Sequence, residues 1–179
     1  MREELLSFCE KDYWVYGPDE SDFDFTFNLV KELIKNNQRN LQKEIKQAKL
    51  DYPEEDIWGE IQSDFAHYAW VNEQYLWQFC LWRIQGIFEA LLINVFLPEP
   101  PTKKLIGLYS KINEAKKAGF ELTEKQEEEL FNWAKLRNAL THAPSEQYHP
   151  APIGEDDIFE YIEFIKSICI KWRGSKNAL

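Results

Sequence analysis

The chain has 179 residues, of which 44% are apolar and 15% aromatic, and it carries a net charge of −10. That length suits one domain around a single core, and seven Gly and eight Pro are too few for a disordered or fibrous chain. The acidity argues against a protein that coats nucleic acid through a generally basic surface.

The start, Met1-Arg2-Glu3-Glu4, is acidic and leads into no apolar signal region. The longest apolar run, Ala90 to Phe96 with Asn94 inside it, is far shorter than the roughly 20 residues of a membrane span. A cytoplasmic protein without membrane association is expected. Cys9, Cys80 and Cys169 lie far apart beside aromatic or aliphatic residues. An odd, scattered set of this kind reads as buried thiols and not as a disulfide framework. The three His lack neighbours at ligand spacing, so no structural metal is expected, and no Walker or dinucleotide fingerprint implies a cofactor.

Residues 1–20 read as an N-terminal extension with a short helix over 2–12, ended by Tyr13 to Tyr16 and the turn Gly17-Pro18. Ser21 is placed to cap a helix from Asp22 to about Lys49, whose apolar residues Phe23, Phe27, Val30, Leu33/Ile34, Leu41 and Ile45 recur at helical spacing. Residues 31–49 also carry six cations against Glu32 and Glu44. Asp51-Tyr52-Pro53 breaks the helix.

From Glu54 to Phe96 the pattern is helical and apolar on two sides. One stripe runs through Ile57, Ile61, Phe65, Tyr68, Tyr75/Leu76, Phe79, Trp82, Ile87, Leu91 and Val95, and from Trp70 onward a second runs through Trp77, Leu81, Ile84, Phe88 and Leu92. Such a helix is packed on both faces, at the centre of a bundle or at a subunit interface. Its length suggests a break near Tyr68 to Asn72. Arg83 and Glu89 sit inside it, where an unpaired charge is costly, and they are candidates for pairing or for lining a cleft. Pro98, Pro100 and Pro101 end it.

Thr102 can cap a helix running to Lys117 before Gly119, a segment carrying five Lys against Glu114 between residues 101 and 117. Thr123 and Gln126 form a capping box for a helix bearing Leu130, Trp133, Leu136 and Leu140, closed by Pro144. A Pro-rich loop over 144–154 follows. The last helix spans about Glu155 to Trp172, acidic at its start and basic near its end. No strand pattern is present. The expected fold is an all-α, up-and-down bundle of about five to six helices in one domain, 1–179.

The informative stretch is Lys135-Leu136-Arg137-Asn138-Ala139-Leu140-Thr141-His142-Ala143-Pro144. Asn138 and His142 are four apart and share a helix face, whereas Arg137 starts about 140° from His142 and reaches the same patch only through its length. A His at a helix C-terminus is favoured in its protonated form. An arginine beside a protonatable imidazole can hold a phosphate and move a proton near neutral pH. The structural alternative is that Arg137 and Asn138 brace the helix end while His142 packs locally. His67, beside Tyr68 and Trp70, reads as a packed ring. His149 lies in the Pro-rich loop, and Ser145 has no nucleophile elbow around it.

Arg137-Asn138-x-x-x-His142 resembles the Arg-x4–6-His motif of the HEPN superfamily, in the Arg-Asn-x-x-x-His form of many of its ribonucleases. That superfamily includes toxins of toxin–antitoxin pairs, phage-defence proteins and nuclease domains of RNA-guided effectors. The sequence match covers about ten residues, but the helix order fits most of the chain, with the motif ending the penultimate helix. The resemblance implies a homodimeric endoribonuclease that cleaves RNA without metal through attack by the ribose 2′-OH. In it, His142 is the general acid/base, Arg137 stabilises charge growing on the phosphate, and Asn138 orients one or the other. Lys135 and Thr141 are weaker substrate-binding candidates. An antitoxin or a nucleotidyltransferase is a conceivable partner. The forms paired with minimal nucleotidyltransferases often carry Tyr two residues after the His, where this chain has Pro144, which counts against that variant. A non-catalytic HEPN domain that binds nucleotide or RNA, or serves as a partner subunit, is the alternative implication.

Overall fold

The computed structural model describes residues 19–53, 55–97, 105–142 and 152–176, without the side chains of residues 55–57, 142 and 176. Five helices and no strand occur among the described residues. They are α1 (Ser21–Asp51), α2 (Glu55–Leu91, extended by a π-helical turn Leu92–Phe96), α3 (Gly107–Lys117), α4 (Glu124–His142) and α5 (Glu155–Lys176). The all-α bundle expected from periodicity is what forms. The proposed helix over 2–12, the prolines after Phe96, Thr102 and the loop around Ser145 and His149 lie outside the described residues.

The start of α1 differs from expectation by a short step. Ser21 is the first helical residue and not its cap, because Glu20 already has helical backbone angles. The capping falls to Asp19, whose carboxylate accepts the Ser21 N–H at 2.6 Å, while the Asp19 N–H donates to Asp22 at 2.9 Å. Two orphan amides are thereby satisfied reciprocally.

α1 and α2 run antiparallel, with Phe27 meeting Trp77 (5.9 Å between ring centres) and the Lys49 ammonium over the Trp58 ring (5.6 Å). α2 shows no break near Tyr68 to Asn72 and continues as one 37-residue α-helix. No proline interrupts it, and packing along α1 supplies the support that a lone helix of this length would lack. Its first half stands clear of the core, since no described side chain between residues 35 and 76 is buried. The stretch Trp58–Phe96 is long and apolar enough by length and composition to cross a membrane, although it contains no long uninterrupted apolar run. Half of its most apolar window is buried inside the bundle.

The core gathers Phe23, Phe27, Val30 and Ile34 of α1 against Trp77, Leu81, Ile84 and Phe88 of α2, and Ile158, Ile162, Ile165 and Trp172 of α5. Ion pairs from Lys166 to Asp24 (2.7 Å) and Arg173 to Glu20 (2.7 Å) run along the α1–α5 seam. The second apolar stripe of α2 is therefore core. The first is not, over its middle: Tyr75, Phe79 and Trp82 are half-exposed or more. Further along, Ile87 and Leu91 of the same stripe are buried, so the two-sided packing expected for α2 is realised towards its end but not between Tyr75 and Trp82.

α3 begins later than a Thr102 cap would place it. Leu105 and Ile106 are not helical, and Gly107, at φ 74°, occupies the left-handed region, so the helix cannot propagate backwards through it. It ends at Gly119 (φ 93°), with Phe120 N–H donating to Ala115 O at 3.0 Å and Gly119 N–H to Lys116 O at 3.1 Å. This Schellman geometry turns Phe120 onto Phe96 and Trp172, with ring centres 5.4 and 5.2 Å away. α4 opens with the expected capping box: Thr123 N–H to Gln126 Oε1 at 3.0 Å, and Gln126 N–H to Thr123 Oγ1 at 3.2 Å. Among the described side chains of α4, only Leu130 is fully buried. The helix that bears the motif therefore lies at the edge of the bundle, where its polar residues can meet solvent.

Candidate functional site

Arg137 lies on α4 opposite the polar interruption of α2. Gln85 and Glu89 are one helical turn apart, in a segment otherwise made of Ile84, Gly86, Ile87, Phe88, Ala90 and Leu91, so their side chains project along one face. The Arg137 Nε–H donates to Gln85 Oε1 at 3.1 Å, and an Nη–H donates to Glu89 Oε1 at 2.9 Å. The other Glu89 oxygen accepts a hydrogen bond from Lys111 Nζ of α3. Glu89 is nearly buried, and Arg137 and Lys111 retain 21% and 14% of their side-chain exposure. A buried carboxylate thus holds two cations from two other helices, which is how a charge becomes tolerable there.

The ring of Trp133 stacks on Tyr161 of α5, with centres 4.6 Å apart. Burial pushes the Tyr161 hydroxyl well above the ordinary phenol range, and the Glu89 charge adds to this while Arg137 opposes it. The Tyr161 hydroxyl and the Gln85 amide nitrogen are buried and have no hydrogen-bond partner among the described residues.

Two shallow clefts meet at Arg137. The first, of about 350 Å³, is lined by Arg83, Glu89, Asn94, Lys111 and Arg137, with Trp82 on its rim. Asn94 belongs to the π-helical turn, a distortion that often accompanies functional positions. The second, of about 270 Å³, lies between Tyr75, Gln78, Phe79 and Trp82 of α2 and Arg137, Leu140 and Thr141 of α4. Trp82 and Arg137 are common to both.

The residues singled out from sequence fare differently. Arg137 lines both clefts. Thr141 lines the second, and its hydroxyl donates back to the Arg137 carbonyl at 2.8 Å. Asn138 is exposed, makes no side-chain hydrogen bond among the described residues, and borders neither cleft. Lys135 is exposed and turned away from both, because it stands about 160° around the helix from Arg137. His142 is the last residue of α4, and its side chain lies outside the described residues, as does the whole of His149. Arg83 and Glu89 both line the first cleft, Glu89 as a paired charge and Arg83 as an exposed one. His67 is exposed, not packed under other groups, with its ring 5.8 Å from that of Tyr68.

Gln85 and Lys111 are the site residues that sequence reasoning missed. The signal for Gln85 was its i, i+4 relation to Glu89 inside an apolar run. Lys111 carries no local signal. Among the described residues, no group of three or more His, Cys, Asp or Glu is placed to hold a metal ion. Comparison with family models, with curated proteins and with solved structures finds no match to this chain.

Proposed function

We propose that this chain is a HEPN-type endoribonuclease of the cytoplasm, a toxin or phage-defence effector, acting as a homodimer. RNA would be cut without metal: the ribose 2′-oxygen attacks the adjacent phosphorus, the 5′-oxygen leaves, and a 2′,3′-cyclic phosphate remains. His142 would move the protons of this step, Arg137 would bind the phosphate oxygens as their charge grows, and Asn138 would orient His142. A single copy supplies one imidazole for two proton transfers, and a second copy would provide the other.

The observation that carries the reading is the setting of Arg137. Its guanidinium is fixed by Gln85 and Glu89 where two open clefts join, five residues before the histidine that ends the helix. Of the five N–H donors of an arginine, two are used among the described residues, and the others are available to an incoming phosphate. A fixed guanidinium loses little freedom when it binds, as transition-state stabilisation requires.

A second reading is favoured by one feature of the same cluster. Glu89 neutralises part of the Arg137 charge, which suits a HEPN domain that binds nucleotide, RNA or a partner subunit without cleaving. Incubation of purified protein with a mixed-sequence RNA in EDTA separates the two. The nuclease reading expects cleavage products ending in 2′,3′-cyclic phosphate, lost in His142→Ala with helical circular dichroism intact. Full activity in His142→Ala would remove the catalytic assignment, and tight binding of intact RNA with no cleavage would favour the second reading.

A further inference from the structure

The nuclease reading accounts for Arg137 but not for the aromatic face beside it. Tyr75, Phe79 and Trp82 recur at i, i+4 and i+7, so they line one side of α2, and each is at least 50% exposed. Large aromatics are costly to leave in water, and three on one face beside a cleft form a patch that calls for an occupant. Phe79 and Trp82 lie with ring centres 6.2 Å apart and planes inclined by 38°. The cleft they border is about 270 Å³, below the roughly 300–1,000 Å³ of sites for drug-sized ligands, so it suits one planar ring system. Its lining is not wholly apolar. Gln78 is half-buried there, with an amide that makes no hydrogen bond among the described residues. Across the shared Trp82 and Arg137 lies the first cleft, where the charged residues among those described are Arg83, Lys111 and Arg137 against Glu89.

A ligand complementary to both halves has an apolar planar face, a polar edge and an adjoining anion. A nucleotide of a single-stranded RNA has all three. We infer that the Tyr75–Phe79–Trp82 cleft is a nucleobase subsite, in which a base stacks on Phe79 and Trp82 and presents its edge to the Gln78 amide. The adjoining phosphate then lies at Arg137 and Arg83. Stacking is indifferent to base identity, whereas an amide that can both donate and accept is not, so Gln78 sets what sequence preference the subsite has. The identity of the ligand rests on the RNA reading above, but the subsite needs no cleavage to be occupied.

The test uses a twelve-nucleotide RNA with 2′-O-methyl groups throughout, which cannot undergo 2′-OH attack, titrated into the full chain by fluorescence anisotropy. An abasic strand of equal length serves as the backbone-only probe. The subsite predicts that the abasic strand binds at least about ten-fold more weakly than the RNA, that Phe79→Ala weakens the RNA by about ten-fold, and that Phe79→Tyr restores most of it. Gln78→Ala should flatten differences among oligoadenylate, oligouridylate and oligocytidylate. Equal binding of the abasic strand, unchanged affinity in Phe79→Ala, or no RNA binding at all overturns the inference. So does a change of sedimentation from dimer to monomer in Phe79→Ala, which would make the aromatic face a contact between copies. If the binding outcomes hold while unmodified RNA stays uncut, the subsite stands and the nuclease reading fails.

Discussion

The carboxylate of Glu89 holds Arg137 and Lys111 together, and Glu89→Gln asks how much that costs to lose. An amide of nearly the same volume leaves the packing intact. Its oxygen can still accept from one cation, but its NH2 group must then face the other, donor against donor. One charge-assisted hydrogen bond is lost and the other weakened, each worth about 1.5–3 kcal/mol. The upper end does not apply, because Arg137 and Lys111 keep 21% and 14% of their exposure and can turn partly to water. The expected loss is about 2–3 kcal/mol. In a chain of this length that lowers the midpoint of thermal unfolding by about 4–12 °C. Urea titration and thermal melts followed by circular dichroism measure it, with Arg83→Gln as the exposed control expected to stay within about 0.5 kcal/mol. A triple replacement, Glu89→Leu with Lys111→Met and Arg137→Met, should recover most of the stability, since removing a buried ionic cluster whole is far cheaper than removing its centre. Glu89→Gln indistinguishable from wild type, or a triple variant worse than the single one, would refute the account of this cluster.

Two further outcomes follow from groups elsewhere in the fold. Burial pushes the thiols of Cys80 and Cys169 up to about 12, so neither is nucleophilic in the native state at pH 8. Alkylation with iodoacetamide, read by peptide mass spectrometry, should label both only in denaturant, and native labelling at either would contradict the burial. The Ser21 backbone N–H, followed by the Ser21 hydroxyl, holds the Asp19 carboxyl below its ordinary value. A lowered value means that the cap contributes stability above the unfolded pKa and loses it as pH falls through the folded one. Carboxyl NMR should show Asp19 titrating below its ordinary value of 3.8, and Asp19→Asn should remove its share of acid sensitivity, costing most near pH 7 and least in acid, where the wild-type carboxyl is itself protonated.

The helices were legible because their signals are local. A capping box at Thr123 and Gln126 and the acidic start and basic end of α5 each sit within one or two turns of chain. Two local signals misled. The length of α2 suggested a break, but the hairpin with α1 makes a long helix stable, and that support lies outside the window in which periodicity is read. Thr102 looked like the start of α3, yet the left-handed backbone of Gly107 sets it later. The site divides in the same way. Arg137 stood out through its spacing to His142, whereas its partners Gln85 and Glu89 lie 52 and 48 residues away, and Lys111 enters only because α3 packs beside α2. Nor could apolarity alone say which stripe of α2 the chain covers. Trp77 and Trp82 look alike in sequence, but one is buried at 2% exposure and the other stands at 51%.

The electrostatics of the cleft reconcile an acidic chain with the anionic ligand proposed for it. A net charge of −10 would repel a polyanion if it were spread evenly, yet the field that a ligand meets inside a cleft is set by the nearest charges and the low-dielectric walls. Among the described residues that line the first cleft those are Arg83, Lys111 and Arg137 against Glu89, a local balance of three positive charges to one negative. The sharing of Glu89 matters here. Had the carboxylate a single partner, Arg137 would be neutralised one for one. With Lys111 bound to the second oxygen, one negative charge is divided between two cations, so Arg137 is held in place by a carboxylate that does not cancel it. A site that must both fix a guanidinium and leave it attractive to phosphate gains from that third charge, and Lys111→Met is the substitution that should let Glu89 reclaim Arg137 entirely.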